Sequence, residues 1–261
     1  MHMRVNPGLA TPSGVVDRVT GGSHHYAADR ALADPILEAY PQVRETALDD
    51  LQFVGRAVVH LAQQGIDQFL ILGYRLPSET EVHHVAQSVV PRARVVYVSS
   101  DSVVSLQASA LVSASQRVAY IDSDPRNTDS ILNDPATQSL IDFTRPVGVL
   151  FYGWLNYIAD RDDPYGAAQN LLEEVPSGSY VAISHVTADG IDPGLFNKIE
   201  SAYADVPNRF YFRDHSQVTR FFADWDIQEP GVVRCGDWSV QGQDPAPDRV
   251  MYAWCGLARK P

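Results

Sequence analysis

Five short apolar runs, each stopped by a turn and each alternating with helical patterns, limit the fold of this chain more than any other feature. They are QFLIL at 68–72, RVVYV at 94–98, RVAYI at 117–121, PVGVLF at 146–151 and YVAIS at 180–184. Runs so short and continuous suit strands covered on both faces. Between them, residues 46–64 place Leu48, Leu51, Val54, Val58 and Leu61 at three- and four-residue steps, with Gly65 in the position of a left-handed cap. Further helices are expected at 79–89, 102–113, within 129–141, at 164–174, across 192–205 and at 216–222. Strands alternating with helices give a parallel sheet with right-handed crossovers. After them, 225–233 and 250–257 read as a long terminal hairpin around GDWSVQGQDPAPD.

The first strand carries the most telling turn. QFLILGYRLPS at 68–78 ends its apolar run at Gly73, turns through Tyr74 and Arg75 and meets Pro77 before the next helical pattern. In α/β folds such a turn faces a ligand crevice, because a helix start offers free N–H groups and a positive dipole end.

Composition narrows the partners. The 261 residues, 45% of them hydrophobic, suffice for one large α/β body, and a formal charge of −12 without a basic run argues against nucleic acid and anionic membranes. No apolar run approaches the roughly 18 residues of a membrane span, and MHMRVNPGLATPSG lacks the apolar centre of a leader, so a cytoplasmic protein is expected. A small-molecule substrate is the expected partner, and a homodimer stays open. Cys235 and Cys255 are too few for a disulfide framework or a cysteine metal cage; they fit two free thiols or a pair on neighbouring strands.

Several polar and aromatic groups are candidates for a site. Residues 1–22 read as an arm, and residues 27–40 as one or two short helices around Pro35. Between them, His24, His25 and Tyr26 follow a glycine pair that frees the backbone to aim them at a pocket; a solvated loop is the plainer alternative. The fourth strand ends in Tyr152, Gly153, Trp154, Leu155, Asn156 and Tyr157, and the fifth in His185. These aromatics suit either a pocket floor or ordinary core. Asp160, Asp162 and Asp163 precede a helix and read as caps rather than metal ligands.

The segments VVDRVTGG with YAADR, FVGRAV, QFLILGYRLPS, EVHHVAQSVVPRARVVYV, YIDSDPR, DDPY, PSGSYVAISH, TRFF, EPGVV and LARKP carry a resemblance that runs almost end to end. The chain resembles the bacterial S-adenosyl methyltransferase family long known only as a domain of unknown function. The resemblance implies a Rossmann-like α/β methyltransferase fold: a seven-stranded, mostly parallel sheet, a C-terminal antiparallel hairpin and an N-terminal helical extension. Residues 1–45 would form the arm and lid, and 46–261 the catalytic-type domain. It also implies a cofactor pocket over the carboxyl ends of the first four strands, touching Gly73, Tyr74, Ser99, Asp101 and Asp122.

Against the family pattern, Ile71 stands where an acid is usual, Arg75 where the second glycine is usual, and Ser99 where an acid grips the ribose. Ser23, His24, His25 and Tyr26 replace a Lys-Asp-Asn-Phe sequence, and Leu155, Asn156 and Tyr157 replace Leu-His-Phe. Framework segments are kept while ligand segments are rewritten. The reading this favours is acid/base chemistry on a small secondary-metabolite substrate, with no cofactor required. His24, His25, Tyr26 and Arg75 would be catalytic, and Tyr152, Trp154, Asn156, Tyr157 and His185 would bind substrate. The alternatives are an S-adenosylmethionine-dependent methyltransferase of a small molecule, with His24, His25 or His185 as base, and a non-catalytic binding protein on the same fold.

Overall fold

The computed structural model describes residues 6–73, 81–101, 103–105, 115–203, 209–240 and 252–261. Expectations for Tyr74, Arg75 and the rest of 74–80, for most of the 102–113 helix and for the loop at 241–251 lie outside the described residues.

The expected periodicities set the frame. Helix α3 (Val43–Gln63) turns Phe53, Val54, Ala57, Val58 and Leu61 into the interior, and Gly65 at φ +90° ends it. Strand β1 (Gln68–Gly73) follows; after α4 (Val82–Val89) come β2 (Arg94–Ser99) and β3 (Val118–Asp122). Short helices α5 (Thr128–Leu132) and α6 (Pro135–Leu140) lead to β4 (Gly148–Tyr152), and α7 (Pro164–Glu174) to β5 (Tyr180–Val186). Then come α8 (Pro193–Tyr203), α9 (His215–Thr219), β6 (Asp226–Ile227), β7 (Val233–Arg234) and β8 (Ala253–Arg259).

The sheet order is β3-β2-β1-β4-β5-β8-β6, with β7 also paired to β8. β1 through β5 run parallel, whereas β8 is antiparallel to β5, β6 and β7. Eight strands replace the expected seven because the strand before β8 is in two pieces. Pro230 has no N–H for a ladder, and Gly231 sits at φ +93° between the pieces. Alternation along the strands feeds two cores: Leu70, Leu72, Val96, Val149 and Phe151 enter one, and Phe69, Ile71, Val95 and Leu150 meet α3 and α4 in the other. Gln68, fully buried, is satisfied because its amide donates to the carbonyls of Asp142, Arg145 and Pro146 at 2.8–3.1 Å.

The N-terminal segment differs from a simple arm. Thr11 caps, Pro12 opens and Gly21 (φ 89°) closes a helix α1 (Pro12–Thr20), whose Val15 and Val19 pack on Ala33 of α2 (Ala27–Ala39). α2 runs unbroken through Pro35. Pro35 and Ala31 are both exposed, so the carbonyl the proline leaves without a partner faces water. Cys235, just past β7, and Cys255, within β8, are free, buried thiols, with the Cys235 N–H donating to the Ala253 carbonyl at 3.1 Å. Among the described residues no helix is long and apolar enough to cross a membrane.

Candidate functional site

The carboxyl ends of β1 and β4 meet closely. Gly73 pairs with Tyr152 in register and bridges Gly153, and a Cβ on Gly73 would overlap the Tyr152 carbonyl oxygen. A side chain is therefore excluded at Gly73 by the sheet itself. Gly153, at φ 74°, then swings the chain into a short 3-10 turn, Trp154–Tyr157. That turn carries Trp154 away from the rim: it is 1% exposed and stacks on Phe151 with ring centroids 5.8 Å apart. Trp154 is a core residue here, not part of a pocket floor.

At the ends of β2 and β3 the polar groups are tied together. The Ser99 hydroxyl accepts from the Asp101 N–H at 3.1 Å, and the Ser99 carbonyl accepts from the Tyr120 hydroxyl at 2.8 Å. The buried Asp101 carboxylate accepts from the N–H groups of Val103 (2.9 Å), Val104 (3.4 Å) and Ser13 (3.2 Å). It thus caps the helical residues 103–105 and clips α1 across the end of β2. Asp122, at the end of β3, is exposed and shares a face with Tyr120.

Asp17 of α1 organises the loop above these ends. Its Oδ2 accepts from the His24 N–H at 2.8 Å and lies 2.8 Å from His25 Nδ1. With Nδ1–H donating to the carboxylate, the lone pair of His25 is on Nε2. His24 is exposed, whereas Tyr26 packs with Tyr120 against Val103 and Val104. The triplet expected from sequence is therefore divided between a solvent-facing ring, a carboxylate-oriented ring and a packed one.

The second half of the site is a cavity of about 130 Å³ between α1–α3, α8 and the ends of β4 and β5. α3 contributes Val43, Thr46, Ala47 and Asp50, which share one helix face. Tyr152, Gly153, Asn156, Tyr157 and His185 form the sheet side, while Tyr40, Ile199, Tyr203, Phe210, Phe212 and Tyr252 close the rest. Asn156 is fixed: its Oδ1 accepts from the Val186 N–H at 3.2 Å and its carbonyl from the Tyr211 N–H at 2.7 Å. Tyr157 leans on Phe210, centroids 4.7 Å apart.

His185 lies within β5, not beyond it, and both its ring nitrogens are engaged. Nδ1 is 2.8 Å from the Val186 carbonyl, and Nε2 is 2.6 Å from an Arg213 guanidinium nitrogen. Burial first, and then the Arg213 charge, lower its pKa to about 3. His185 therefore meets the cavity as a neutral ring with no lone pair to offer, which removes it as a base. Arg213 was not evident from sequence. It also donates to the Leu155 and Ile158 carbonyls and to Asp160 Oδ1. Asp163 caps α7 through the Gly166 N–H at 3.0 Å, and no cluster able to hold a metal ion occurs among the described residues.

A family model described as S-adenosyl methyltransferase matches residues 2–261. The chain belongs to this S-adenosyl methyltransferase family. Its structure is similar to that of a DUF574 family protein from Streptomyces avermitilis, with a TM-score of 0.92 and 32% identity over 99% of this chain and 100% of that one. It is also similar to a Thermobifida fusca protein described as a candidate methyltransferase, with a TM-score of 0.87 and 32% identity over 97% and 96% of the two chains. No curated protein matches. The family's Rossmann-like methyltransferase fold is thus the fold of this chain.

Within this member of the family, Asp101 has a measurable duty. Asp101→Ala is expected to lose about 1–2 kcal/mol, the value of a helix cap, and to loosen α1 by removing the acceptor for the Ser13 N–H. Limited proteolysis should then cut between residues 6 and 40 faster than in the parent chain. Equal cutting rates would show that α1 is held without Asp101.

Proposed function

We propose that this protein transfers a methyl group from S-adenosylmethionine to a small, largely apolar acceptor held in the cavity under α1–α3. The observation that carries this reading is the position of the cavity. Its wall at Tyr152 and Gly153 is the strand end that bridges Gly73, the last described residue before the expected cofactor turn. A donor over β1 to β3 and an acceptor in the cavity would meet at that seam.

The donor set fits the cofactor on its adenosine side. Asp122 offers an exposed carboxylate that can accept from hydroxyls, and Tyr26 and Tyr120 offer rings near it. When bound, the cofactor supplies an electrophilic methyl group on a sulfonium. The protein's own share is mostly placement: aromatic walls exclude water and orient the acceptor, α1 and α2 act as its lid, and fixed Asn156 keeps the seam rigid. His25 is the candidate base: with Asp17 beside Nδ1, Nε2 would be the atom that takes a proton.

A second reading, acid/base chemistry without methyl transfer, is favoured by two particulars. Ile71 stands 2% exposed in an apolar core, and the Ser99 hydroxyl already accepts from Asp101. Titration calorimetry with S-adenosylmethionine separates the two. Micromolar affinity is the expected outcome; absence of heat at millimolar cofactor would leave the second reading standing.

A further inference from the structure

Three hydrogen-bond donors on the cavity wall are left without acceptors. Ile36 and Tyr40 at the end of α2, and Ile199 and Tyr203 at the end of α8, are each four residues apart, so each pair shares a helix face, and the four pack in one cluster beside the cavity. Tyr40 is 5% exposed; its ring meets Tyr252 edge to face at 5.3 Å, and its hydroxyl, bordered by Thr46 and Tyr252, has no hydrogen-bond partner. Tyr203 is 4% exposed; its ring meets Phe210 at 5.2 Å, yet its hydroxyl bonds to no described residue. The Asn156 amide has a fixed orientation, because Oδ1 accepts from the Val186 N–H at 3.2 Å, and Nδ2 is left as a donor without an acceptor among the described residues. Burial pushes both phenols well up, so they stay protonated and able to donate. Buried donors are costly to leave unanswered and are normally met by protein, water or a ligand.

The group that answers them is uncharged. Among the described lining residues there is no lysine or arginine, and His185 is a neutral ring with both nitrogens engaged. A carboxylate or phosphate would leave water for an apolar wall with no cation to meet it. A carbonyl oxygen carries no such penalty and offers two lone pairs to donors. Cavities of roughly 150 Å³ hold one benzene ring, so about 130 Å³ suits one ring or its aliphatic equivalent. We propose that the ligand of this cavity is an uncharged carbonyl compound of single-ring size, its oxygen held by the Tyr40 and Tyr203 hydroxyls and its ring packed among the aromatic side chains. This names the acceptor class for the methyl-transfer reading and rests on that reading for its catalytic meaning.

The test uses the full chain and three probes of similar size: cyclohexanone, its oxygen-free counterpart methylenecyclohexane, and cyclopentanecarboxylate. Combining Tyr40→Phe with Tyr203→Phe should weaken cyclohexanone binding by about fivefold or more, the range expected for lost hydrogen bonds, and leave methylenecyclohexane binding within about twofold. The carboxylate should bind weakest of the three to the parent chain. Because the substitutions remove only hydroxyls that lack acceptors, the melting temperature should hold or rise, and each single variant should show part of the effect. Equal losses for ketone and hydrocarbon, a ketone affinity untouched by the substitutions, a lowered melting temperature, tightest binding of the carboxylate, or no binding of any probe would each overturn the proposal. S-adenosylmethionine binding is measured separately. A hydroxyl-dependent ketone affinity without cofactor binding would keep the carbonyl site and defeat methyl transfer; cofactor binding without that affinity would do the reverse.

Discussion

Arg213→Ala is expected to lower folding stability by about 3–5 kcal/mol, because each buried polar group left without its partner costs about 1–3 kcal/mol. The guanidinium is 1% exposed and donates to the carbonyls of Leu155 (3.0 Å) and Ile158 (2.7 Å) and to Asp160, while reaching His185 Nε2 at 2.6 Å. Its ion pair with Asp160 is the minor part, because that carboxylate is 65% exposed and screened by water. The larger loss is the abandonment of two carbonyls and an imidazole in the interior. Since those carbonyls belong to the turn after β4, the cavity wall at Asn156 and Tyr157 should loosen too. Urea unfolding measures the first effect, and a loss below about 1 kcal/mol would show that water replaces the guanidinium without penalty.

The same cluster fixes a pH dependence. His185 has a folded-state pKa near 3 against an ordinary 6.5, lowered first by burial and then by Arg213. The unfolded chain therefore binds the proton more readily, so the contribution of the neutral ring is complete above about pH 6.5 and is lost as pH falls toward 3. Arg213→Met keeps much of the buried stem and removes the neighbouring cation. This variant should be less stable at pH 7, yet lose stability less steeply between pH 6.5 and 4. Parallel pH profiles for the two proteins would show that the charge of Arg213 does not act on His185.

Much of this fold was legible because its signals are local. The apolar runs at 68–72 and 94–98 became β1 and β2 within a residue at their ends, since a strand covered on both faces has no polar position to blur its limits. α1 was hidden in a Gly- and Pro-rich stretch, although its cap residues Thr11, Pro12 and Gly21 were all visible. What the stretch alone could not supply was the surface that stabilises it, which is provided by Ala33 of α2 and by Val43 and Ala47 of α3.

The site was legible in part. Tyr152, Asn156, Tyr157 and His185 do come together around one cavity, because they lie at or just after the ends of adjacent parallel strands that are aligned by register. Trp154 departs because one left-handed glycine, Gly153, reverses the path before it. Asp50 and Arg213 were missed for a related reason: each is isolated in sequence from the groups it faces. Asp50 lies one stripe away from the leucine and valine face of α3, at the helical spacing from Val43, Thr46 and Ala47 that marks a second, less apolar surface.

Gly73→Ala puts the seam between the two halves of the site to the test. The added methyl would overlap the Tyr152 carbonyl oxygen and lie 3.1 Å from the Tyr152 Cβ, so backbone must move in β1 or β4. Overpacking of this kind costs about 3 kcal/mol at the upper end of its usual range. Gly153→Ala is the matched control. There the new methyl meets no atom within 4 Å, and only the left-handed backbone at φ 74° is penalised, by roughly 1 kcal/mol. If the seam positions the donor, Gly73→Ala should also weaken S-adenosylmethionine binding by tenfold or more. Tyr152 links the two halves of the site, because it borders Gly73 on one side and the cavity on the other. Loss of stability with the cofactor affinity intact would mean that Gly73 serves the sheet alone.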